Sequence, residues 1–231
     1  HKLLKNEGIS GNSNQALCYA GGDYIGLLDH DDLLAPDALF EMVNAINTLS
    51  GQEEAEAGLL YSDEDKCDET GQYYYEPNIK SNFNFDFLLS NNYICHFLLM
   101  KAELIKELGL RPAYDGAQDY DLILRAVGRL QEKEIVHVGR ILYHWRCHAL
   151  STAANPASKL YAYEAGKRAV QDFLREKGIE GQAVDTEHVG FYRIVYEPDI
   201  FAAREDVGML GGSVTDRDHK ISSGILLKNG L

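Results

Sequence analysis

Paired cysteine motifs, basic clusters and membrane-length apolar runs are all missing from this sequence, and each gap closes off a class of protein. The four cysteines, Cys18, Cys67, Cys95 and Cys147, are widely spaced and form no CxxC pair, so neither a disulfide framework nor a zinc ribbon has its usual spacing. Reduced thiols in a cytoplasmic protein fit that pattern. Against 36 acidic residues stand 22 basic ones, a formal charge of −14, with no long Lys/Arg run. The electrostatic attraction that dominates nucleic-acid affinity is therefore lacking, and a phosphate-bearing ligand needs a cation at such a surface. No apolar stretch approaches the ~18 residues that span a bilayer, and the opening HKLLKNEGIS holds no signal-peptide apolar region. The sequence also lacks a Walker A, a GxGxxG and a GxSxG segment, which removes the main support for kinase, dehydrogenase and serine hydrolase readings.

What remains is an ordinary globular composition, 45% hydrophobic and 25% charged over 231 residues, long enough to bury a core without disulfides or a structural metal. Ser13 to Ala20 reads as a helix capped by Asn12 or Ser13 and ended by Gly21-Gly22. Tyr24 to Leu28 (YIGLL) has the short apolar pattern of a buried parallel strand. Pro36 then suits the first turn of a helix whose Leu39, Val43 and Ile46 recur at helical spacing. Strands are expected at Leu59 to Tyr61, Ile94 to Met100, Ile135 to Val138, Ile141 to Trp145 and Val189 to Tyr196. Helices are expected at Ala102 to Leu108, Asp119 to Val127, with Leu122, Ile123 and Ala126 on one face, and Ala157 to Lys177, where Leu160, Tyr163, Val170, Phe173 and Leu174 make an apolar stripe. Strands alternating with helices point to an α/β fold.

Four segments carry candidate chemistry. Asp29-His30-Asp31-Asp32 follows the YIGLL strand, at the carboxyl end where open α/β sheets bind ligands. Clustered carboxylates suit Mg2+ or Mn2+ that keeps substrate phosphates in its shell; the plainer alternative is a solvated loop whose aspartates cap the next helix, Asp32 above all. Tyr61-Ser62-Asp63-Glu64-Asp65-Lys66 lacks the glycine spacing of a calcium loop and reads otherwise as an exposed charged loop. Asp115-Gly116-Ala117-Gln118-Asp119-Tyr120-Asp121 places an acid at a helix start, as a general base requires. Asp119 and Asp121 point in different directions there, so one of them is expected to be structural; helix capping would explain either. In Tyr143-His144-Trp145-Arg146-Cys147-His148 the zinc reading of His144, Cys147 and His148 has no partner motif. A hydrogen-bonded strand histidine is the simpler account of His144, and Arg146 can pair with phosphate or carboxylate.

In this order, NEGIS with Ser13-Asn14, LLDHDDLLAPDAL, YSDEDK, NNYICH, YDGAQDYDLILR and ILYHWRCHALST followed by Lys159 resemble a family 2 glycosyltransferase. The closest likeness is to the rhamnosyltransferase-like members that build bacterial surface polysaccharides. The resemblance implies the GT-A fold, a Rossmann-like α/β architecture, and an inverting, metal-dependent transfer from a nucleoside-diphosphate sugar, UDP- or dTDP-linked, to a glycan or lipid-linked acceptor. Asp29 and Asp31 match the DxD motif, Asp31 with His144 holding Mn2+ or Mg2+ at the diphosphate. Asp119 matches the catalytic base. Asp63, Asp65 and Arg146 would lie on the donor side, Trp145 and Gln118 on the acceptor side. A carboxylate deprotonates an alcohol poorly in the ground state, so Asp119 would act late, as departure of the leaving group makes the hydroxyl more acidic.

The same resemblance implies a nucleotide-binding strand, helix and strand ahead of His1, a catalytic module over 1–188, and over 189–231 a linker with part of a second module, with residues missing near Glu197 to Ile200. It places the enzyme in the cytoplasm, peripherally at the inner face of the plasma membrane. Two rival readings compete: a non-catalytic carbohydrate-binding or scaffolding module of the same fold, and a metal-independent glycoside hydrolase using paired carboxylates.

Overall fold

A computed structural model describes residues 5–51, 56–147, 160–215 and 221–227. His148 and Lys159 lie outside them. Within the described residues a six-stranded mixed sheet is flanked by helices on both faces. Its strands are β1 (Tyr24–Leu27), β2 (Leu33–Leu34), β3 (Leu59–Cys67), β4 (Tyr74–Asn78), β5 (Leu98–Lys101) and β6 (Ile135–Arg146). The order is β1-β5-β3-β6-β2; β3 pairs β5 through Leu59–Tyr61 and β4 through Glu64–Cys67. Only β3 and β6 run parallel. The helices are α1 (Gly8–Leu17), α2 (Ala38–Ser50), α3 (Phe85–Ser90), α4 (Ala102–Leu108), α5 (Gln118–Val127) and α6 (Leu160–Glu176). A β7–β8 hairpin (Gly181–Asp185, Tyr192–Tyr196) follows, then α7 (Ile200–Ala203) and a separate β9–β10 pair (Met209–Thr215, Ile221–Leu227).

Period-two alternation sorts the central strands between two cores. Leu59 and Tyr61 of β3, with Leu98 and Met100 of β5, face the larger core of α4, α5 and α6. Leu60, Phe97 and Leu99 face the smaller one under α2. Leu122, Ile123 and Ala126 are fully buried on α5, as its spacing predicts, and Ala102–Leu108 forms the predicted helix.

Several expectations need correction. The YIGLL strand exists, but it pairs antiparallel with β5 at the edge of the described sheet and is only half-buried. Helix α1 starts five residues earlier than its cap signal suggests: its N-cap is Glu7, and Asn12, already within the helix, accepts the Glu7 N–H on Oδ1 at 3.0 Å. On α2 the buried residues are Ala38 and Met42, while Leu39 and Val43 are exposed. ALFEMV is apolar nearly all round, so periodicity does not choose the face; the packing of Ala38 and Met42 into the smaller core does. Leu160, expected in the α6 stripe, is likewise exposed. The two strands expected over 135–145 are one: β6 runs through, and its extra residues Gly139 and Arg140, then Leu142, shift the register against Ser62, Asp63 and Glu64 of β3; the expected strand from Ile94 begins only at Leu98.

Candidate active site

The β1–β2 loop carries the first acidic segment, and its aspartates divide by burial. Asp29 is exposed and Asp31 half-exposed, whereas Asp32 is buried. Asp32 does not cap α2, whose N-cap is Asp37. Its Oδ1 accepts the Arg146 N–H at 2.8 Å and its Oδ2 the Tyr143 hydroxyl. Burial pushes the Asp32 carboxyl up, against the pull of those two hydrogen bonds. From the other side Arg146 donates Nε to the Asp31 carbonyl at 2.7 Å and Nη1 to the Glu69 carbonyl at 2.6 Å. The end of β6 thereby clamps the loop so that Asp29 and Asp31 project from a fixed backbone.

The YSDEDK segment is strand, not exposed loop: β3 continues through it to Cys67, because β6 and β4 pair both of its edges. Asp63 is 2% exposed, and its Oδ1 accepts the Lys80 N–H at 2.9 Å and lies 2.8 Å from His137 Nε2. Those bonds close the β3–β4 region onto β6. Asp65 meets its β6 register partner His144, with Oδ1 2.5 Å from Nδ1, and the Tyr74 ring lies 4.4 Å from the imidazole. A carboxylate on Nδ1 orients the ring and leaves Nε2 as its remaining donor or ligand atom.

Asp119 sits in the first turn of α5, half-buried. Its Oδ2 accepts Asn92 Nδ2 at 2.7 Å and the Cys95 thiol at 2.9 Å; among the described residues no hydrogen bond to Oδ1 is found. Gln118 turns back, its Oε1 accepting the Gly116 N–H at 2.8 Å. Asp121 is 1% exposed and takes both Arg111 and Arg125, so it is the structural acid of the pair. Burial pushes the Cys95 thiol pKa well up, with Asp119 and Glu64 adding to the effect, which keeps it a protonated donor.

Behind Cys95 lies an ionic cluster that residue-by-residue reading of the sequence does not isolate. His96 Nδ1 lies 2.9 Å from Glu64 Oε2, and Lys80 Nζ is 3.8 Å from the same oxygen while bonding the Ile94 and His96 carbonyls. Burial opposes a charge on His96, but the Glu64 hydrogen bond, with Glu64 and Asp119 charge, outweighs it and raises the imidazole above 6.5 despite Lys80. Asp32 faces it across Tyr143. Glu64 is lowered from 4.5 by His96 and Lys80 against its own burial. The raised His96 contributes stability below pH 6.5 that is lost as pH rises through the folded value; the lowered Glu64 contributes above pH 4.5 and loses it as pH falls. The stability difference between wild type and Glu64→Gln is expected to peak between those two values, read as Tm against pH in both proteins; a difference that kept growing above pH 8 would refute the pairing.

Among the described residues no three His, Cys, Asp or Glu side chains converge as a metal-ligand set. An all-protein cage therefore does not fit. The accessible carboxylates of Asp29 and Asp31 do fit an ion such as Mg2+ or Mn2+ that takes one or two protein oxygens and completes its shell from phosphate and water. No described helix is long and apolar enough to cross a membrane.

Comparison with known proteins bears on the family and the fold. A family model described as Glycosyl transferase family 2 matches residues 2–109. An uncharacterised protein, y4gI, of Sinorhizobium fredii is 43% identical over 163 residues, covering 70% of this chain and 17% of its own length. The O-antigen biosynthesis protein RfbC of Myxococcus xanthus is 33% identical over 187 residues, 80% of this chain and 14% of that protein. This chain thus spans less than a fifth of either relative. Among solved structures, S. aureus TarS 1–349 superposes with a TM-score of 0.50 at 15% identity, covering 73% of this chain and 45% of that one. Its complex with UDP-GlcNAc gives 0.51 at 14% identity, over 72% and 47%. These likenesses establish the fold as GT-A.

Proposed function

From its membership of glycosyl transferase family 2, carried by residues 2–109, we infer that this chain transfers a sugar from a nucleoside-diphosphate donor to a hydroxyl of a bacterial surface glycan or its lipid-linked precursor. The O-antigen role of RfbC, at 33% identity, supports the acceptor class, and the UDP-GlcNAc complex of a TarS structure sharing the fold supports the donor class. Residues 1–188 act as the catalytic module, at the cytoplasmic side of the membrane.

One observation carries the chemistry: Asp119 is held through a single oxygen by Asn92 and Cys95. That leaves Oδ1 to accept the proton of an incoming hydroxyl, in the manner of a positioned general base. Attack opposite the leaving group inverts the anomeric centre. Asp31, with Asp29 beside it, would hold Mg2+ or Mn2+ together with the donor's phosphates and water; His144, its Nδ1 taken by Asp65, converges with them in no three-ligand set among the described residues. The ion would offset charge on the departing diphosphate. Arg146 fixes the loop that presents these acids. Trp145, tilted against His96 with centroids 6.1 Å apart, lines the acceptor side, with Gln118 at the α5 entrance.

A panel of UDP-, dTDP- and GDP-sugars, each with Mn2+ and with EDTA, tests the reading. We expect binding or slow hydrolysis of one nucleotide class that EDTA abolishes. Failure of every nucleotide under both conditions would favour the non-catalytic carbohydrate-binding reading, and metal-independent glycan cleavage the hydrolase one.

A further inference from the structure

A row of aromatic side chains leads away from Asp119 along one face of the sheet. Cys95 bonds Asp119, and its neighbour His96 stacks on Tyr143 at 4.5 Å with 9° between the planes, then meets Trp145 at 6.1 Å. Trp145 is the β6 register partner of Lys66, and Lys66 is the β3 partner of Tyr75. Residues opposite one another across adjacent strands share a face, so Trp145, Lys66 and Tyr75 lie side by side. Tyr75 stacks in turn on Tyr73, with centroids 5.8 Å apart and 22° between rings. Tyr73 is 67% exposed, so its ring and that of half-buried Tyr75 present a joined aromatic surface rather than a single exposed side chain.

We propose that this row, from Trp145 through Tyr75 to Tyr73, is a binding track for the sugar rings of an extended, neutral glycan acceptor. The proposal rests on the transferase reading of Asp119. The apolar C–H face of a pyranose stacks on an aromatic ring, and rings spaced along a strand accept successive sugars. Charge selects against acidic glycans: Lys66, the base on the track, is bonded to Glu76 at 2.5 Å, and Asp68 and Glu69 flank the hairpin turn. The Trp145 end of the track meets His96, the neighbour of the Cys95 that bonds Asp119, which is why the acceptor is assigned to it.

The test uses Tyr73→Ala, Tyr75→Ala and Tyr73→Trp in the full chain, with neutral linear gluco-, galacto- and rhamno-oligosaccharides of one to six sugars as probes. Direct binding and acceptor KM are both measured. Each alanine should weaken the longer oligosaccharides by about 2- to 12-fold, leave the monosaccharide and the donor KM unchanged, and be reversed at position 73 by tryptophan. Equal affinity of wild type and both alanine variants for the long probes would overturn the track, as would stronger binding of acidic oligosaccharides or no binding of any neutral one. Because binding is read without turnover, those results fall on the track alone; loss of donor binding in wild type falls instead on the transferase reading.

Discussion

Asp119→Asn is expected to lose sugar transfer by roughly 10²- to 10⁴-fold, the usual contribution of a positioned general base, while folding and binding donor as the wild type does. The amide is isosteric, and its oxygen can still accept from Asn92 and Cys95, which bond only Oδ2 in the native site. What faces the acceptor is then an NH2 group that donates and takes no proton. The loss should appear in kcat, with donor affinity within about twofold, since donor binding makes no demand on Asp119. Donor affinity by calorimetry, Tm and single-turnover transfer together separate the outcomes. Near-normal turnover would remove Asp119 from the mechanism, and a large fall in Tm would make it a structural acid.

How far such a site can be read from sequence depends on which interactions are local. The Gly turn before Gln118, the helical spacing of Leu122, Ile123 and Ala126, and the order of the acidic segments are all sequence-local, and the helix and fold class follow from them. The partners of each acid are not local. Asp32 is separated by more than a hundred residues from Tyr143 and Arg146, and Asp65 by 79 from His144. A loop and a strand with the same acids look alike until β6 pairs along β3, which turns YSDEDK from an exposed segment into a buried one. Asn92, Cys95 and His96 carried a visible signal, two amides and a Cys-His pair in NNYICH, but their roles depend on Asp119, 24 residues beyond Cys95, and on Glu64, 32 residues before His96. The α2 face failed for a different reason: where a helix is apolar on several sides, tertiary packing decides its rotation, here that of Ala38 and Met42 in the smaller core.

Asp121 shows the same division in energetic form, and its variant should do the reverse of Asp119→Asn. Its carboxylate, 1% exposed, meets Arg125 Nε and Nη2 at 3.0 and 2.8 Å and Arg111 Nε at 3.1 and 3.0 Å. Arg125 also donates to the Leu108 and Gly109 carbonyls at 2.8 and 2.7 Å, closing the open end of α4. One acid thus holds two cations, one of which caps the neighbouring helix. Replacing it with alanine leaves the Arg125 guanidinium buried without its counter-charge, and breaking such a pair costs about 3–5 kcal/mol. Arg111 is a third exposed, so water offsets part of its share, and the lower end, about 3 kcal/mol, is expected. For a chain of this size that is a fall in Tm of roughly 6–12 °C. Below the new transition kcat should remain within a few-fold of wild type, because Asp121 points into the α4–α5 interface while Asp119, two residues earlier, points toward Asn92 and Cys95. An unchanged Tm would remove the structural role of Asp121, and activity lost far below the Tm would mean that it shares in the chemistry.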